Sequence, residues 1–181
     1  MKPYKLILPI LLGASCLQTH AADDALKRTT DVLCLVPDAT ALGVAIAKHD
    51  TEGLKQLGLS TATCLAVNYG LELCIHKKRP DGTGNHAFPS THSAVAFNGS
   101  TYLMKRYGWQ WGVPAYVVSS FVAWGRVHTD RHDWWDVLGG AAIGAGSAFI
   151  FTRPFDKDVE VTISPTTFGD RAYGLTATIQ F

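Results

Sequence analysis

RPDGTGNHAFPSTHSA, at residues 79–94, has the composition of a loop rather than of a buried core. It holds two prolines, two glycines and two histidines, and apolar residues at helical spacing begin at Ser93. The composition therefore predicts a loop that ends in the first turn of a helix. Free backbone N–H groups and the positive helix dipole make such a turn a binding site for anions. We expect the Ser90 hydroxyl and the His92 imidazole at that anion. The alternative is ordinary capping by Ser90, with His92 in solvent.

A second polar stretch, GRVHTDRHDWWD at residues 125–136, interrupts the apolar pattern further along the chain. We expect Arg126 to end one long helix and His132 to open the next. Asp136 follows His132 by four residues, on the same helix face, where its carboxylate would accept Nδ1–H. That contact would fix the tautomer of His132 and leave Nε2 with a lone pair for attack. The Arg126 guanidinium offers a planar fork for phosphate oxygens.

The same stretch also has an interpretation as a metal site. His128, His132 and Asp136 follow each other at intervals of four residues, and one continuous helix would align them as ligands. The neighbouring arginines disfavour a cation, so we expect an anion site instead. In that site two imidazoles would face each other across the anion. Its members come from separate parts of the chain: Arg79, Ser90, His92, Arg126 and His132.

In these residues the sequence resembles the type 2 phosphatidic acid phosphatases, the PAP2 superfamily, which also includes bacterial class A acid phosphatases and vanadium haloperoxidases. The family pattern is Lys-x6-Arg-Pro, Pro-Ser-Gly-His and Ser-Arg-x5-His-x3-Asp, and this chain offers ELCIHKKRP at 72–80, PSTH at 89–92 and GRVHTDRHDWWD at 125–136. The order of the three parts and the internal spacing of the last two agree. The resemblance spans about residues 60–152.

The resemblance implies an all-helical phosphatase that needs no metal and no cofactor. His132 would be the nucleophile that forms a phosphohistidine, and Asp136 would orient it. His92 would protonate the leaving group and then activate water. The other family positions would bind the phosphoryl oxygens of the substrate: Arg79, Ser90, Thr91 and Arg126.

The chain departs from the family pattern at three positions. Thr91 replaces Gly, Gly125 replaces Ser, and Glu72 replaces Lys. A backbone N–H survives at Thr91, whereas a carboxylate at position 72 would repel a phosphate beside it. Two functions follow from this. The first is a working phosphatase, and the alternative is a catalytically impaired relative that binds phosphate or lipid headgroups without turnover.

The direction of the Glu72 carboxylate depends on how far the helix that contains Glu72 extends. Apolar residues at helical spacing predict one helix over residues 51–78. That helix would place Glu72 and Arg79 on one face and would point Lys77 elsewhere. Lys77 would turn inward only if the helix unwinds before Pro80.

The N-terminal and C-terminal segments of the chain have sequence patterns that differ from those of the predicted helices between them. Two lysines precede a short apolar run and a small-residue region that ends at Ala21, which predicts a secretory signal peptide over residues 1–21. A single domain would then occupy residues 22–181. Alternating apolar and polar residues predict a β-hairpin within 158–181. The predicted fold is therefore an all-α, PAP2-like helical bundle with a short C-terminal β-hairpin.

The composition of the chain limits which classes of molecule it is expected to bind. The net charge is +1 and only 17% of the residues are charged, so nothing favours nucleic acid. Of the charge-free stretches 56–71, 107–125 and 137–152, only the second approaches the length of a membrane span. Small residues at every fourth position within 139–146 favour close helix contact. We expect an exported protein, periplasmic or in contact with the inner membrane, that acts on a phosphorylated lipid or a small phosphate ester.

Overall fold

Six helices form the part of the chain between residues 21 and 155. The structure is a computed structural model that describes residues 21–155 and the backbone of 160–168 and 172–180. Residues 1–20, which hold nearly all of the predicted signal peptide, lie outside the described residues. The helical fold class is confirmed. The helices are α1 (21–33), α2 (Val36–Ala47), α3 (Thr51–Cys74), α4 (Thr91–Tyr107), α5 (Trp109–His128) and α6 (Trp134–Phe151).

Helix α4 lies at the centre of the bundle and contacts α2, α3, α5 and α6. Its buried residues are mostly small, and they occupy several faces of the helix rather than one stripe. A helix that is buried on several sides belongs to a core rather than to a surface. The first turn of α4, where the sequence predicts the anion site, is therefore held by the helices around it.

Glycines allow α6 to pack directly against the start of α4. A Cβ atom at Gly140 would overlap the carbonyl oxygen of Ser90, and one at Gly144 would overlap the carbonyl oxygen of Ala94. The absence of a side chain at both positions lets the two backbones approach each other. The predicted close helix contact is confirmed at these two glycines, whereas a Cβ at Gly146 would meet nothing within 4 Å.

A buried ion pair holds the other end of α4. The Arg106 guanidinium donates two hydrogen bonds of 2.5 Å to the carboxylate of Asp50. Asp50 also caps α3 by accepting from the N–H of Gly53 at 2.8 Å. The hydrogen bonds from Arg106 lower the pKa of Asp50 to about 2, so the pair remains charged at neutral pH.

Two predicted helix boundaries are wrong. Helix α3 ends at Cys74 and Ile75 is extended, whereas the sequence predicted a helix as far as residue 78. His132 does not open α6, because the N-cap of that helix is Asp133 and its first residue is Trp134. After α3, Lys77 instead donates to Asp133 and Asp136. Before α6, the N–H groups of Arg131 and His132 both donate to the carbonyl of Arg126.

Two helical stretches have the length and the apolar composition of a membrane span. They are Ala21–Ala47 and Trp134–Phe151, and 33% of the most apolar window of each is buried within the protein. The expectation that 107–125 comes closest to a span is wrong, because that stretch is not among the two. Its tryptophans, its serines, Pro114 and Gln110 make it less apolar than its lack of charge suggests.

Two strands follow the helices. They are β1 (Glu160–Phe168) and β2 (Ala172–Gln180). They pair antiparallel, with Glu160 opposite Gln180 and Phe168 opposite Ala172.

Candidate active site

Hydrogen bonds join the loop of residues 75–90 to the connection between α5 and α6, residues 129–133. The N–H of Asp81 donates to the carbonyl of Asp130 at 3.0 Å. The carboxylate of Asp81 accepts from the Arg131 guanidinium at 3.2 Å. These contacts bring two of the three polar sequence motifs side by side.

His132 is buried in that connection, and its ring orientation is set by a backbone carbonyl. Nδ1 lies 2.8 Å from the carbonyl oxygen of Ala87, so Nδ1 carries the proton and Nε2 keeps its lone pair. The pKa of His132 is lowered to about 4, chiefly by burial and also by the positive charges of Arg79 and Arg126. The predicted contact between Nδ1–H and Asp136 is wrong, because the nearest carboxylate oxygen is 3.7 Å from Nδ1.

Asp136 instead holds three segments together. It is fully buried, and it shares a capping box with Asp133 at the start of α6, in which each carboxylate accepts the other residue's backbone N–H. Its second carboxylate oxygen is 2.6 Å from Nζ of Lys77. Its carbonyl accepts from the N–H of Ser90 at 2.9 Å. The negative charge of Asp136 still acts on the neighbouring His132 and opposes the lowering of that residue's pKa.

The early end of α3 changes the roles of Lys77 and Glu72. The sequence analysis expected Lys77 to turn inward only if the helix unwinds before Pro80. The helix ends at Cys74, and Lys77 does turn inward, where it binds the carboxylates of Asp133 and Asp136 at the start of α6. Glu72 and Arg79 therefore do not share a helix face. The carbonyl of Glu72 contacts Nδ1 of His86 at 3.1 Å, and its buried Oε2 has no hydrogen-bond partner among the described residues.

The first turn of α4 presents backbone donors. Ser90 is the N-cap and fully buried, but its side chain makes no capping hydrogen bond, so the ordinary capping alternative is wrong for its hydroxyl. No described residue accepts from the N–H groups of Thr91, His92 and Ser93. The hydroxyl of Thr91 accepts from the buried side-chain amide of Asn68 at 2.8 Å. The sequence analysis did not predict this contact, for which the position of Asn68 among apolar residues of α3 is the sequence signal.

His92 and Arg126 meet at a carboxylate that the sequence did not predict. Nε2 of His92 lies 3.1 Å from Oδ1 of Asp31, and Nη2 of Arg126 lies 2.5 Å from the same oxygen. Arg126 is only 3% exposed, whereas the Asp31 side chain is 52% exposed. Burial lowers the pKa of His92 to about 4, the charge of Arg126 adds to this, and the carboxylate of Asp31 opposes it.

Four of the predicted site residues form an electrostatic cluster: Arg79, His92, Arg126 and His132. The charge of Arg126 lowers the pKa of both imidazoles, that of Arg79 lowers the pKa of His132, and His132 lowers the pKa of His92. Nε of Arg79 and Nε of Arg126 are buried and have no hydrogen-bond partner among the described residues. Buried N–H groups without a partner are rare in proteins. Two guanidinium groups in this state, with free helix N–H groups nearby, are suited to a tetrahedral oxyanion.

The metal interpretation depended on one continuous helix, and the structure contradicts it. Helix α5 ends at His128, so His128, His132 and Asp136 do not line one helix face. The exposed ring of His128 stacks on Trp124, with 4.8 Å between the ring centroids.

The sequence profile of the PAP2 superfamily matches residues 11–159, a range that includes every member of the cluster. A lipid A 4'-phosphatase of Helicobacter pylori is 29% identical over 170 residues, which are 86% of this chain and 85% of that protein. A lipid A 1-phosphatase of Porphyromonas gingivalis is 43% identical over 70 residues. That second match covers 36% of this chain and only 16% of the relative.

A solved structure has the same arrangement of helices. It is the crystal structure of a transmembrane PAP2-type phosphatidylglycerolphosphate phosphatase from Bacillus subtilis, with a TM-score of 0.54. The match covers 83% of this chain and 94% of that one, at 21% sequence identity. At this identity the comparison shows the fold.

Proposed function

The chain belongs to the PAP2 superfamily, and we propose that it is a lipid phosphatase of the cell envelope that works through a phosphohistidine on His132. The observation that carries the proposal is the state of the His132 ring. Its Nδ1–H is bound to the Ala87 carbonyl, no described residue is hydrogen-bonded to its Nε2, and burial disfavours protonation. A neutral imidazole with a free Nε2, near Arg79 and Arg126, is suited to attack a bound phosphoryl group.

In the first step, the Nε2 lone pair of His132 attacks the phosphorus atom. An N–P bond forms while the bond between phosphorus and the leaving-group oxygen breaks. The leaving oxygen takes a proton from His92, which therefore has to be protonated at that moment. A phosphate dianion beside His92 would favour the imidazolium form and raise the lowered pKa of this residue.

In the second step, His92 accepts a proton from water, and the resulting hydroxide oxygen attacks the phosphohistidine. The N–P bond breaks, its electron pair returns to Nε2 of His132, and inorganic phosphate leaves. The guanidinium groups of Arg79 and Arg126, together with backbone N–H groups at Ser93 and Thr91, would bind the non-bridging oxygens as charge develops on them. Ser90 would contribute its hydroxyl, since its N–H is already used.

A cavity beside His92 supports an apolar leaving group. It has a volume of about 460 Å³, and its walls include Cys34, Leu35, Leu65, Tyr69 and Val95 together with His92 itself. Asp31, Asp38 and Thr61 also line it, but most of its surface is apolar, and such a surface is suited to the apolar part of a phosphorylated lipid. The two apolar helical stretches and the lipid A phosphatases among the relatives agree with a phosphorylated lipid at a membrane.

A substrate panel tests the proposal. Wild type and His132→Ala are assayed side by side, with a chelator present, on lipid phosphates, lipid diphosphates and short water-soluble phosphate esters. We expect turnover of at least one lipid by the wild type and a loss of about a thousandfold or more in the variant. Turnover of soluble esters alone would replace the lipid substrate, and equal activity of the variant would disprove the role of His132. Absence of turnover, with vanadate still bound, would establish the catalytically impaired alternative.

Extraction tests the proposed membrane contact separately. Membranes from cells that export the chain are washed with carbonate at high pH. A protein that acts on lipids from within the bilayer stays in the pellet, and one that acts on soluble esters in the periplasm is released.

A further inference from the structure

A pair of polar side chains interrupts the apolar wall of the cavity beside His92. Asp38 on α2 and Thr61 on α3 both line this cavity, which has a volume of about 460 Å³. Asp38 is the only charged residue between positions 32 and 47 of the sequence. Apolar surroundings disfavour a carboxyl group unless it is hydrogen-bonded, so a carboxyl group on this wall needs polar partners.

Asn98 holds both side chains from the central helix of the bundle. It is fully buried on α4, and its Nδ2 donates to Oδ1 of Asp38 at 3.2 Å and to Oγ1 of Thr61 at 3.0 Å. A Cβ atom at Gly99 would overlap the backbone nitrogen of Asp38, so the start of α2 lies directly against α4 at this point. The fold therefore sets the positions of Asp38 and Thr61 before any ligand binds.

These hydrogen bonds leave one acceptor and one donor unused. Oδ2 of Asp38 is buried and has no hydrogen-bond partner within the described part of the chain. Oγ1 of Thr61 accepts from Asn98, but no described residue accepts from the Thr61 O–H. Buried polar atoms without a partner are rare in proteins. A hydroxyl group is complementary to this pair, since it donates one hydrogen bond and accepts another.

We propose that Asp38 and Thr61 bind a hydroxyl group on the apolar part of the substrate and thereby select among phosphorylated lipids. This inference rests on the proposed function, because the same cavity contacts His92, which would protonate the leaving oxygen. Asn98 lies six residues beyond His92 on α4, which is about 9 Å along the helix axis. We therefore expect the hydroxyl group about 9 Å from the ester oxygen that leaves.

A series of alkyl phosphates of one chain length tests the proposal. One member has no hydroxyl group, and each of the others has one hydroxyl group at a different carbon. The hydroxyl preference is kcat/KM for a hydroxylated ester divided by kcat/KM for the plain ester. We expect a preference of about tenfold in the wild type, with its maximum where the hydroxyl is about 9 Å from the ester oxygen. No preference at any carbon, or a maximum at the carbon nearest the phosphate, would overturn the inference.

Two variants identify the side chains that bind the hydroxyl. Thr61→Val keeps the shape of the side chain but removes its O–H, and Asp38→Ala removes the carboxyl group. Each should lower the preference to about one, because the substrate hydroxyl then enters the cavity without a full set of partners. Thr63→Val is the matched control on α3, since position 63 does not line the cavity, and it should keep the wild-type preference.

Thermal unfolding of each variant distinguishes this role from a structural one. If Thr61→Val or Asp38→Ala folds, loses stability and keeps the wild-type preference, then Asp38 and Thr61 serve only the packing of α2 and α3 against α4, and the inference is wrong. Thr61→Val decides the matter if Asp38→Ala does not fold.

Binding separates this inference from the proposed function. Alkyl phosphonates with and without the hydroxyl group, whose P–C bond resists hydrolysis, are titrated in detergent into the wild type, Thr61→Val and Thr63→Val. The hydroxylated phosphonate should bind about tenfold more tightly to the wild type and to Thr63→Val, and no more tightly to Thr61→Val. If the wild type hydrolyses lipid phosphates through His132 but binds both phosphonates equally, the inference fails while the proposed function stands. If it shows the binding preference without any turnover, the hydroxyl site stands and the proposed reaction fails.

Discussion

Oδ1 of Asp31 lies 3.1 Å from Nε2 of His92, and the same oxygen accepts a hydrogen bond from Arg126. The two groups that the family pattern assigns to the substrate phosphate therefore share one carboxylate oxygen. Asp31 is half exposed, so its side chain can rotate into solvent when a phosphate arrives. We interpret the carboxylate as an internal substitute for a phosphoryl oxygen.

Replacing this carboxylate should strengthen anion binding. In Asp31→Asn an oxygen remains to accept from Arg126, but the negative charge that competes with phosphate is lost. We expect the inhibition constants of phosphate and vanadate to fall about tenfold, because a like charge within hydrogen-bond distance is removed. The control is Glu52→Gln, which removes an exposed negative charge on α3. Unchanged or weaker inhibition in Asp31→Asn would show that Asp31 does not occupy the anion position.

The Lys77 bridge should be required for stability and for the geometry of the site. Lys77→Ala leaves the fully buried carboxylate of Asp136 without its cation, which we expect to cost about 2 kcal/mol of unfolding free energy. Activity should fall as well, because Asp136 also holds the backbone of Ser90. Urea unfolding in detergent and initial rates measure the two effects. Lys78→Ala, at the exposed neighbouring position, should change neither, and equal effects of the two variants would refute the bridge.

Sequence periodicity was a good guide wherever local patterns decide the structure. It predicted a helix that begins just after Pro89, which is α4, and a long helix that ends near Arg126, which is α5, because Pro89 and a polar stretch mark these ends. It failed at residues 75–78, where apolar spacing alone favours another helical turn. There the tertiary contacts of Lys77 with Asp133 and Asp136 stabilise an extended chain, and no pattern within the segment reports a partner more than fifty residues away.

The site was predictable only in part, for a similar reason. The motifs identified Arg79, His92, Arg126 and His132, because the order and spacing of these residue types are specific. They did not identify Asp31, which reaches the site from a helix outside the motifs. The motifs also predicted that the carboxylate of Asp136 orients the His132 ring, whereas the backbone carbonyl of Ala87 orients it. Every residue has a carbonyl, so sequence gives no signal for such a contact.

The contact between α4 and α6 should tolerate no side chain at Gly144. Gly144→Ala places a methyl group against the carbonyl of Ala94, so we expect a loss of about 1–3 kcal/mol of unfolding free energy. Gly146→Ala, in the same helix, meets open space and should be neutral or slightly stabilising, since Ala favours helix more than Gly does. Thermal unfolding of the two variants in detergent compares them. Equal melting temperatures would contradict the close approach of the helices.

Burial of His132 predicts how stability depends on pH. The pKa of His132 is lowered to about 4 in the folded protein, from 6.5 in the unfolded chain. Between these values the unfolded state binds a proton that the folded state does not, so stability decreases as the pH falls from about 6.5 towards 4. At pH 5 this amounts to about 2 kcal/mol relative to pH 8.

The comparison of wild type with His132→Gln isolates this contribution, because the other titrating groups are common to both proteins. Unfolding free energies are measured for each at pH 8 and pH 5. We expect the wild type to lose more stability between the two than the variant does. Parallel losses would mean that the imidazole is not held in its neutral form by the fold.

The central claim is that the substrate's phosphoryl group becomes bonded to Nε2 of His132. The most direct measurement is a rapid quench with a radiolabelled phosphate ester that has a good leaving group, followed by peptide mapping in alkali, where phosphohistidine survives. His92→Ala is included because loss of the base slows hydrolysis of the intermediate. We predict label on the peptide that contains His132, more of it in His92→Ala than in wild type, and none in His132→Ala. Label on another residue, or continued turnover by His132→Ala, would contradict the account.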